Sequence, residues 1–376
     1  MPAFSSNRDR VSPIPSTRLP GLWLLILATL LGSTTGCSTL GYYNHSIQGH
    51  LSLLSQRQPI EELLKEEELP QERRKQLTTA IQIREYAIRR LSLPDNGSYR
   101  SFVELDRPYV VWSVVATPEF SLQPAQWCFP VIGCVAYRGY YNEELASAFA
   151  YELKNQGYDV HVGGVAAYST LGWTDSPLLS SMVNRGEFSL ANVVFHELAH
   201  ELLYIPNDTA FNEAFATVVG EYGTKQWLKD TNPSALEYYE HWLDQEAQFV
   251  ALLREIADRL NELYAKELPA VEMRRQKQSI LDNMHEDYKH LKAQWGGYSG
   301  FDAWFDQPVN NARLVSLALY RDLAPDFGRW LQACGYDIDR FYEVAHSISE
   351  LPKAERHEKL RSRAQCASKW TWISLK

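Results

Sequence analysis

The 376-residue sequence has few of the features that mark several large classes of protein. It contains no basic stripe and no phosphate-binding loop, so nucleic acid is not an expected partner. It also has no internal repeat and no low-complexity segment, which excludes a solenoid or a disordered chain. None of its five cysteines has the paired spacing of a structural zinc site. Its apolar run at residues 22–31 is too short for a transmembrane span.

The N-terminus has the pattern of an export signal. Three arginines precede the apolar run, and small residues then lead to Gly36 and Cys37. This Gly-Cys pair resembles a bacterial lipobox, although Thr34 stands where leucine is common. We predict that residues 1–36 are a lipoprotein signal peptide and that Cys37 is lipidated. Because no Asp follows Cys37, the expected location is the outer membrane, facing the periplasm. A plain signal peptide cleaved nearby is the alternative.

Export would place the other four cysteines in an oxidising compartment, where three pairings are possible. Pairing Cys128 with Cys134 is the most economical, because it closes a small loop. Cys334 and Cys366 would then connect the C-terminal helices.

Hydrophobic periodicity predicts a mainly helical chain with a few strands. The predicted helices cover residues 41–93 (interrupted at Pro59 and Pro70), 142–156, 235–268 and 271–293, the last two as a hairpin. The predicted strands cover residues 109–116, 131–137 and 159–165.

The segment 191–223 carries the chemistry, because it contains the H-E-x-x-H pentapeptide from His196 to His200. Residues four apart lie on one face of a helix, so both histidines can bind one Zn²⁺. Glu197 would then lie beside the metal, where it can take a proton from a zinc-bound water. A chance match to the pentapeptide does not explain the helical context or the second helix that follows.

A catalytic zinc site needs a third protein ligand, with its fourth position open. After a break near Pro206 a second helical pattern begins, and it carries Asn212 and Glu213. A short turn would fold this helix back, antiparallel to the first, and bring Glu213 over the histidine pair. Asp208 is the competing ligand, but we favour Glu213, because a mid-helix position suits a fixed ligand better than a helix cap does.

The H-E-L-A-H and F-N-E-A-F-A segments resemble the gluzincin zinc metallopeptidases, although the twelve residues between His200 and Glu213 form a short spacer for that branch. More closely, the chain resembles a bacterial putative aminopeptidase family of predicted zinc-dependent lipoproteins. The resemblance extends over residues 93–99, 127–130, 137–141, 167–173 and 310–312 as well as the zinc motifs. It implies one Zn²⁺ per chain, a peptide substrate, and Asn311 and Tyr320 on the substrate side of the cleft.

The resemblance further implies an α+β fold: a mainly helical, zincin-like metallopeptidase with a small mixed β-sheet beside the HExxH helix. An edge strand of that sheet would hold the substrate backbone. The expected regions are the signal peptide (1–36), an N-terminal helical region (37–93), the zincin-like catalytic core (94–230) and a C-terminal helical region that completes the cleft (231–376). Tyr168 is a candidate hydrogen-bond donor to the oxyanion, with a packed tyrosine as the alternative.

The preferred function is a zinc-dependent aminopeptidase in which Glu197 is the general base, with a peptide as substrate and a lipid anchor in the membrane. An aminopeptidase also needs a carboxylate for the substrate's α-ammonium, and Glu119 and Glu221 are candidates for that role. Three rivals remain. The first is a zinc endopeptidase or amidase of the cell envelope. The second is a non-enzymatic lipoprotein with a structural zinc site, and the third is a chaperone or scaffold that uses the helical hairpin.

Overall fold

The computed structural model describes residues 40–129, 133–167, 174–321 and 323–366, and the side chains of all of these except residues 318–321. Cys37, Tyr168 and the side chain of Tyr320 lie outside this description. The chain divides into two compact units, Met1–His50 and Leu51–Lys376. In the first unit, residues 40–50 are helical. Among the described residues, no helix is both long enough and apolar enough to cross a membrane.

Helices dominate the described chain. Helix α1 covers residues 40–55. The other helices are α2 (Ile60–Leu63), α3 (Gln71–Leu91), α4 (Glu143–Asn155), α5 (Ser180–Val183), α6 (Glu187–Leu202), α7 (Thr209–Thr231), α8 (Pro233–Tyr264), α9 (Ala270–Gln294), α10 (Asn311–Arg321), α11 (Ala324–Ala333), α12 (Ile338–Ser349) and α13 (Lys353–Arg361). The strands are β1 (Gln58–Pro59), β2 (Ser101–Val103), β3 (Val111–Pro118), β4 (Trp127–Phe129), β5 (Gly133–Val135), β6 (Arg138–Tyr140), β7 (Tyr158–Val165) and β8 (Leu178–Leu179).

Most element predictions are confirmed, because they rest on local rules. Pro59 and Pro70 stand at the N-caps of α2 and α3, where proline's missing N–H costs nothing. The predicted helix at 142–156 is α4, with Asn142 accepting from the Leu145 N–H at its N-cap. The two long C-terminal segments form the packed pair α8 and α9.

The strands form three small sheets rather than one mixed sheet. The largest has the order β6-β3-β7, is antiparallel throughout, and packs mainly against α4 and α10. The mixed sheet is β1-β2-β8, in which β2 and β8 run parallel, and β8 leads through α5 into α6. The fold is therefore mainly helical α+β, as expected, but the single sheet expected beside the HExxH helix is divided.

The four cysteines of the described residues form two disulfides, in the pairing that the short spacing of Cys128 and Cys134 favoured. Cys128 bonds to Cys134 across the hairpin of β4 and β5, and the two residues are paired in the strand register. Cys334, at the end of α11, bonds to Cys366, which follows α13.

Helix α7 is the centre of the core. Its residues 211–220 are all buried, because α3, α6, α8, α10 and α11 pack around the helix. Its aromatic side chains Phe211 and Phe215 pack against Phe327 of α11. A helix enclosed in this way has little freedom to shift, so a side chain it presents to a neighbouring helix is held in place.

Candidate metal centre

Helices α6 and α7 pack as an antiparallel pair, in the arrangement predicted from the turn between them. Near the start of α6, Glu187 Oε1 accepts a hydrogen bond at 3.1 Å from Trp227, near the end of α7. Further along α6, the ring of Phe195 lies against Gly223. Near the end of α6, His200 lies opposite Glu213 in the second turn of α7. The order of these pairs shows that the two helices run in opposite directions.

A glycine lets the two helices approach closely beside the first histidine. A Cβ at Gly220 would lie 3.0 Å from the carbonyl oxygen of Asn192 and 3.4 Å from the Cβ of His196. Any other residue at position 220 would push the α7 backbone away from α6. The absent side chain therefore helps to set the distance between the histidines and Glu213.

The three predicted ligands form a nearly equilateral triangle. His196 Nε2 lies 3.1 Å from His200 Nε2. Glu213 Oε2 lies 3.3 Å from the first of these atoms and 3.5 Å from the second. Ligands bonded to a tetrahedral zinc ion at its usual bond lengths lie about 3.3 Å from one another. The two nitrogens and one oxygen thus fit zinc in both chemistry and spacing, and they are the group among the described residues that could hold a metal ion.

The triangle is largely enclosed, and its most exposed side is the one at His196. The side chains of His200 and Glu213 are 7% and 11% exposed, whereas that of His196 is 18% exposed. Burial acts to raise the pKa of Glu213, but the charges and hydrogen bonds of the two histidines outweigh it and lower the pKa to about 2. Burial acts to lower the pKa of His200, but Glu213 and Glu197 outweigh it, and the pKa is raised. The surroundings therefore favour the deprotonated, negatively charged form of the Glu213 carboxyl group.

Glu197 lies between the histidines in sequence and is buried without being part of the triangle. It makes no hydrogen bond to another residue in the described part of the chain. Burial raises the pKa of its carboxyl group, against the opposing effect of the neighbouring histidines. A buried carboxylate with unused acceptor sites and a raised pKa has the properties of a general base.

The loop between α6 and α7 is fixed from within by Asn212. Its Oδ1 accepts from the N–H of Ile205 and its Nδ2 donates to the carbonyl of Ile205, both at 2.8 Å. Asn212 therefore holds the chain between the last histidine and Glu213 in one conformation.

Asp208, the alternative third ligand, belongs to a different cluster. It caps α7 by accepting from Phe211 N–H, and it is 1% exposed. Its carboxylate lies 2.6 Å from Arg356 Nη1 and 2.9 Å from His357 Nε2, both on α13. Burial acts to raise the pKa of Asp208, but His357, Arg356 and Lys353 outweigh it and lower the pKa. The geometry favours Glu213 as the ligand, because Asp208 is already paired.

Two further contacts hold the same loop. Asn207 Oδ1 accepts from the N–H of Cys134 in the disulfide-bonded hairpin, at 2.8 Å. The carbonyl of Asn207 accepts from Lys353 Nζ on α13, also at 2.8 Å. The loop between α6 and α7 is thus held by the β4–β5 hairpin and by α13. The hairpin contains one disulfide, and α13 precedes Cys366 of the other.

Glu201, the residue after the second histidine, makes its hydrogen bonds away from the triangle. It accepts from Asn96 and, at 2.9 Å, from Ser98 Oγ. His200 Nδ1 is buried and has no hydrogen-bond partner among the described residues. Glu201 therefore anchors the end of α6 to the turn that follows α3.

Asn311 has a structural role in the fold. It is fully buried, its Nδ2 donates to the carbonyls of Glu119 and Ser121 at 3.1 Å, and its Oδ1 accepts from Tyr264 at 2.8 Å. These bonds engage both polar atoms of its side chain and join α10 to the end of β3, so its expected contact with a substrate stays a prediction.

The carboxylates considered for the substrate's ammonium group are also placed elsewhere. Glu119 forms two hydrogen bonds with Arg274, at 2.5 and 2.9 Å. Glu221 lies eight residues beyond Glu213 on α7, roughly 12 Å along the helix axis. It lines a separate cavity of about 380 Å³ between α7, α8 and α11.

Tyr204 is a residue that the sequence reasoning missed. Its ring centroid lies 6.5 Å from that of His200 in an edge-on arrangement. Burial and the charge of Glu213 raise the pKa of its phenol, so the group stays protonated and can donate a hydrogen bond. The feature of the sequence that could have indicated this contact is the spacing of four residues between His200 and Tyr204.

The sequence model of the family described as "Putative aminopeptidase" matches residues 41–360. The chain belongs to the putative aminopeptidase family. Neither the curated proteins nor the solved structures provide a match. The family match covers the whole of α6 and α7, and with them every residue of the triangle.

Proposed function

We propose that this member of the putative aminopeptidase family is a zinc-dependent peptidase, with His196, His200 and Glu213 as the ligands of one Zn²⁺. The observation that carries the proposal is the triangle of two imidazole nitrogens and one carboxylate oxygen, with edges of 3.1, 3.3 and 3.5 Å. A bound zinc ion would supply Lewis acidity and lower the pKa of a coordinated water toward neutrality. The family name supports an aminopeptidase in particular.

The chain's own residues perform the proton transfers in this proposal. Glu197 removes the proton of the attacking water and passes it to the leaving amine, because it is the buried carboxylate beside the triangle with unused acceptor sites. Tyr204 donates its phenolic hydrogen to the substrate oxygen on which negative charge develops. The enclosed side of the site, formed by His200 and Glu213, excludes bulk water and strengthens these interactions.

We further propose that the mature protein is anchored through a lipid on Cys37 to the bacterial outer membrane, facing the periplasm. The support is the N-terminal sequence pattern, and the two disulfides fit an oxidising compartment. The proposed partners are a peptide substrate and, through the lipid, the membrane.

The decisive experiment compares the wild type with Glu197→Gln and with the three ligand variants. Glu197→Gln keeps the side-chain size but cannot accept a proton, so it should retain about one zinc per chain while peptide hydrolysis falls about 10²-fold or more. His196→Ala and His200→Ala should abolish zinc binding, and Glu213→Ala should weaken it strongly. Zinc content is measured by metal analysis and hydrolysis with a peptide panel.

Asp208→Ala serves as the matched control for the third ligand. Loss of zinc in this variant, with zinc retained in Glu213→Ala, would show that the ligand assignment is wrong. Peptides with free and with acetylated N-termini separate exopeptidase from endopeptidase activity. Cleavage of free N-termini alone supports an aminopeptidase, and equal cleavage of blocked peptides supports an endopeptidase. If the zinc-loaded wild type cleaved none of the peptides, zinc would have a structural role.

A further inference from the structure

Three arginines are buried in the described part of the chain, and one of them has no anionic partner. Arg84 is 3% exposed and lies 2.9 Å from Asp95 Oδ1. Arg356 is 6% exposed and lies 2.6 Å from Asp208 Oδ2. Arg313, in the first turn of α10, is 7% exposed, and no carboxylate of a described residue lies at ion-pair distance from it. A buried charge without a counter-charge is costly, so this exception points to a function.

The part of the Arg313 guanidinium that has no partner among the described residues is its Nε–Nη2 edge. Two other arginines of this protein bind carboxylates through the same edge. Elsewhere in this protein, Arg274 binds Glu119 through Nε and Nη2, at 2.5 and 2.9 Å. Arg275 uses the same two atoms to bind Glu272, at 2.8 and 2.6 Å. In Arg313 only Nη1 is engaged, donating to Gln307 Oε1 at 2.8 Å. Nε is buried without a partner, and Nη2 bonds to no other described residue.

The surroundings hold the guanidinium in place without neutralising it. Its carbon lies 5.2 Å from the centre of the Trp304 ring, which fixes its plane by a cation–π contact. The carboxylate of Asp306 acts on it only at a distance, whereas burial lowers the pKa of Arg313. A rigid, partly desolvated guanidinium loses little conformational entropy when it binds a planar anion.

A second polar side chain, that of His161 on β7, lies near enough to Arg313 to feel its charge. Asn310 Nδ2 donates to the carbonyl of Val160 at 3.0 Å, which joins the start of α10 to β7 one residue before His161. His161 makes no hydrogen bond to another described residue. Burial and the charge of Arg313 lower the pKa of His161 to about 4, so the ring is neutral near pH 7 and can donate one N–H. A Cβ at Gly163 would lie 3.2 Å from His161 Nε2, so the glycine leaves room for the ring.

We infer that the Nε–Nη2 edge of Arg313, with His161 beside it, is a binding site for a carboxylate group. The carboxylate accepts two parallel N–H bonds from the arginine and neutralises its buried charge. His161 supplies a further N–H donor to the same anion. The site shares no residue with the metal centre and needs no zinc, so it stands independently of the proposed hydrolysis. Its ligand is either a small free carboxylate or a carboxylate of a peptide.

Thermal unfolding of the zinc-free mature protein tests the site with acetate as the probe and acetamide as its neutral analogue. Acetate at ten times its Kd should raise the Tm by roughly 2 °C above the effect of sodium chloride at equal ionic strength. Acetamide should have no effect. In Arg313→Gln the acetate shift should disappear, and Arg313→Lys, which keeps the charge without the planar edge, should bind acetate at least ten-fold more weakly.

Arg329→Gln is the matched control, because Arg329 is 49% exposed and already paired with Asp326, and it should keep the full acetate shift. An NMR titration of the wild type adds a measurement that needs no stable variant, since acetate should move the ring resonances of His161. An acetate shift no larger than that of chloride, or one of equal size in Arg313→Gln, would overturn the assignment. An acetylated tripeptide with a free C-terminus that binds ten-fold tighter than acetate, while its amidated form does not bind, identifies a peptide as the ligand. Equal binding of acetate and the free-carboxylate tripeptide identifies a small carboxylate.

Discussion

At the scale of single residues, burial decides which groups of this protein are available for chemistry. Glu213 and Glu197 are both buried, yet the first faces two imidazoles and the second has no hydrogen-bond partner among the described residues. Tyr204 is partly buried beside the first carboxylate, and His161 is partly buried beside Arg313. The same loss of hydration therefore has different results, depending on the neighbouring charges: the pKa values of Glu213 and His161 are lowered, whereas those of Glu197 and Tyr204 are raised.

Replacing Tyr204 by Phe tests its proposed contact with the substrate oxygen. The variant keeps the ring but loses the O–H donor, so kcat should fall about 10- to 10²-fold with KM little changed. Steady-state kinetics and zinc analysis provide the measurements, and the zinc content should stay the same. Tyr151→Phe is the control, because Tyr151 is 66% exposed and should give wild-type kinetics. Full kcat in Tyr204→Phe would exclude this role.

The lowered pKa of His161 predicts a pH dependence of stability. The unfolded chain binds a proton at this histidine near pH 6.5, whereas the folded chain does so only near pH 4. The contribution of His161 to folding is therefore retained above about pH 6.5 and declines as the pH falls toward 4. Between pH 7 and pH 5 the loss should be about 2 kcal/mol in the free energy of unfolding.

Urea unfolding of the wild type and of His161→Gln at both pH values measures this contribution. The variant has no imidazole to protonate at this position, so its decrease between pH 7 and pH 5 should be smaller by about 2 kcal/mol. Parallel decreases in the two proteins would show that His161 is not held neutral in the folded state.

At the scale of the elements, the C-terminal helix α13 supports the loop between the proposed metal ligands. Arg356 and His357 bind Asp208 at the N-cap of α7, and Lys353 binds the carbonyl of Asn207. Glu213 lies just over one turn beyond this cap. A shift of the cap would therefore move Glu213 relative to the histidines on α6.

Replacing Arg356 by Met should affect both stability and zinc binding. It leaves the buried carboxylate of Asp208 with a weaker set of partners, so the free energy of unfolding should fall by about 3 kcal/mol. Zinc affinity should fall about ten-fold, because a ligand loses its supporting shell. Chelator competition at a temperature where the variant is folded separates this effect from unfolding.

Arg329→Met is the control at this scale, since Arg329 is 49% exposed and the side chain of its partner Asp326 is 13% exposed, so its loss should cost less than the loss of Arg356. The double variant Asp208→Asn/Arg356→Met should recover part of the lost stability, because it removes the unpaired charge. Unchanged zinc affinity in Arg356→Met would restrict α13 to a structural role.

At the scale of the whole molecule, the proposed lipid anchor at the N-terminus would determine where the protein acts. The proposed anchor depends on the thiol of Cys37, since the four other cysteines are paired in two disulfides. Cys37→Ser should therefore release a soluble protein or leave an uncleaved precursor. Fractionation of cells that express each form measures this. Normal processing and equal membrane association of the variant would reject lipidation.

The sequence by itself determined those features that depend on neighbours within a few turns of the chain. The four-residue spacing of His196 and His200 puts both on one helix face, and proline and asparagine at helix starts mark the element boundaries. The short spacing of Cys128 and Cys134 likewise indicated their pairing. The return of the chain at Pro206 predicted the antiparallel pair of α6 and α7, and so brought Glu213 near the histidines.

Only the tertiary structure decided the features that join distant segments. From the sequence, Asp208 was an alternative ligand. In the structure it binds Arg356 and His357 of α13, almost 150 residues later in the chain. From the resemblance, Asn311 was expected on the substrate side of the cleft. In the structure its polar side-chain atoms bind the carbonyl of Glu119, just after β3, and the hydroxyl of Tyr264. The unpaired edge of Arg313 has no local signature either. A side chain's partners across the core depend on how whole elements pack, and helical periodicity contains no information about that packing.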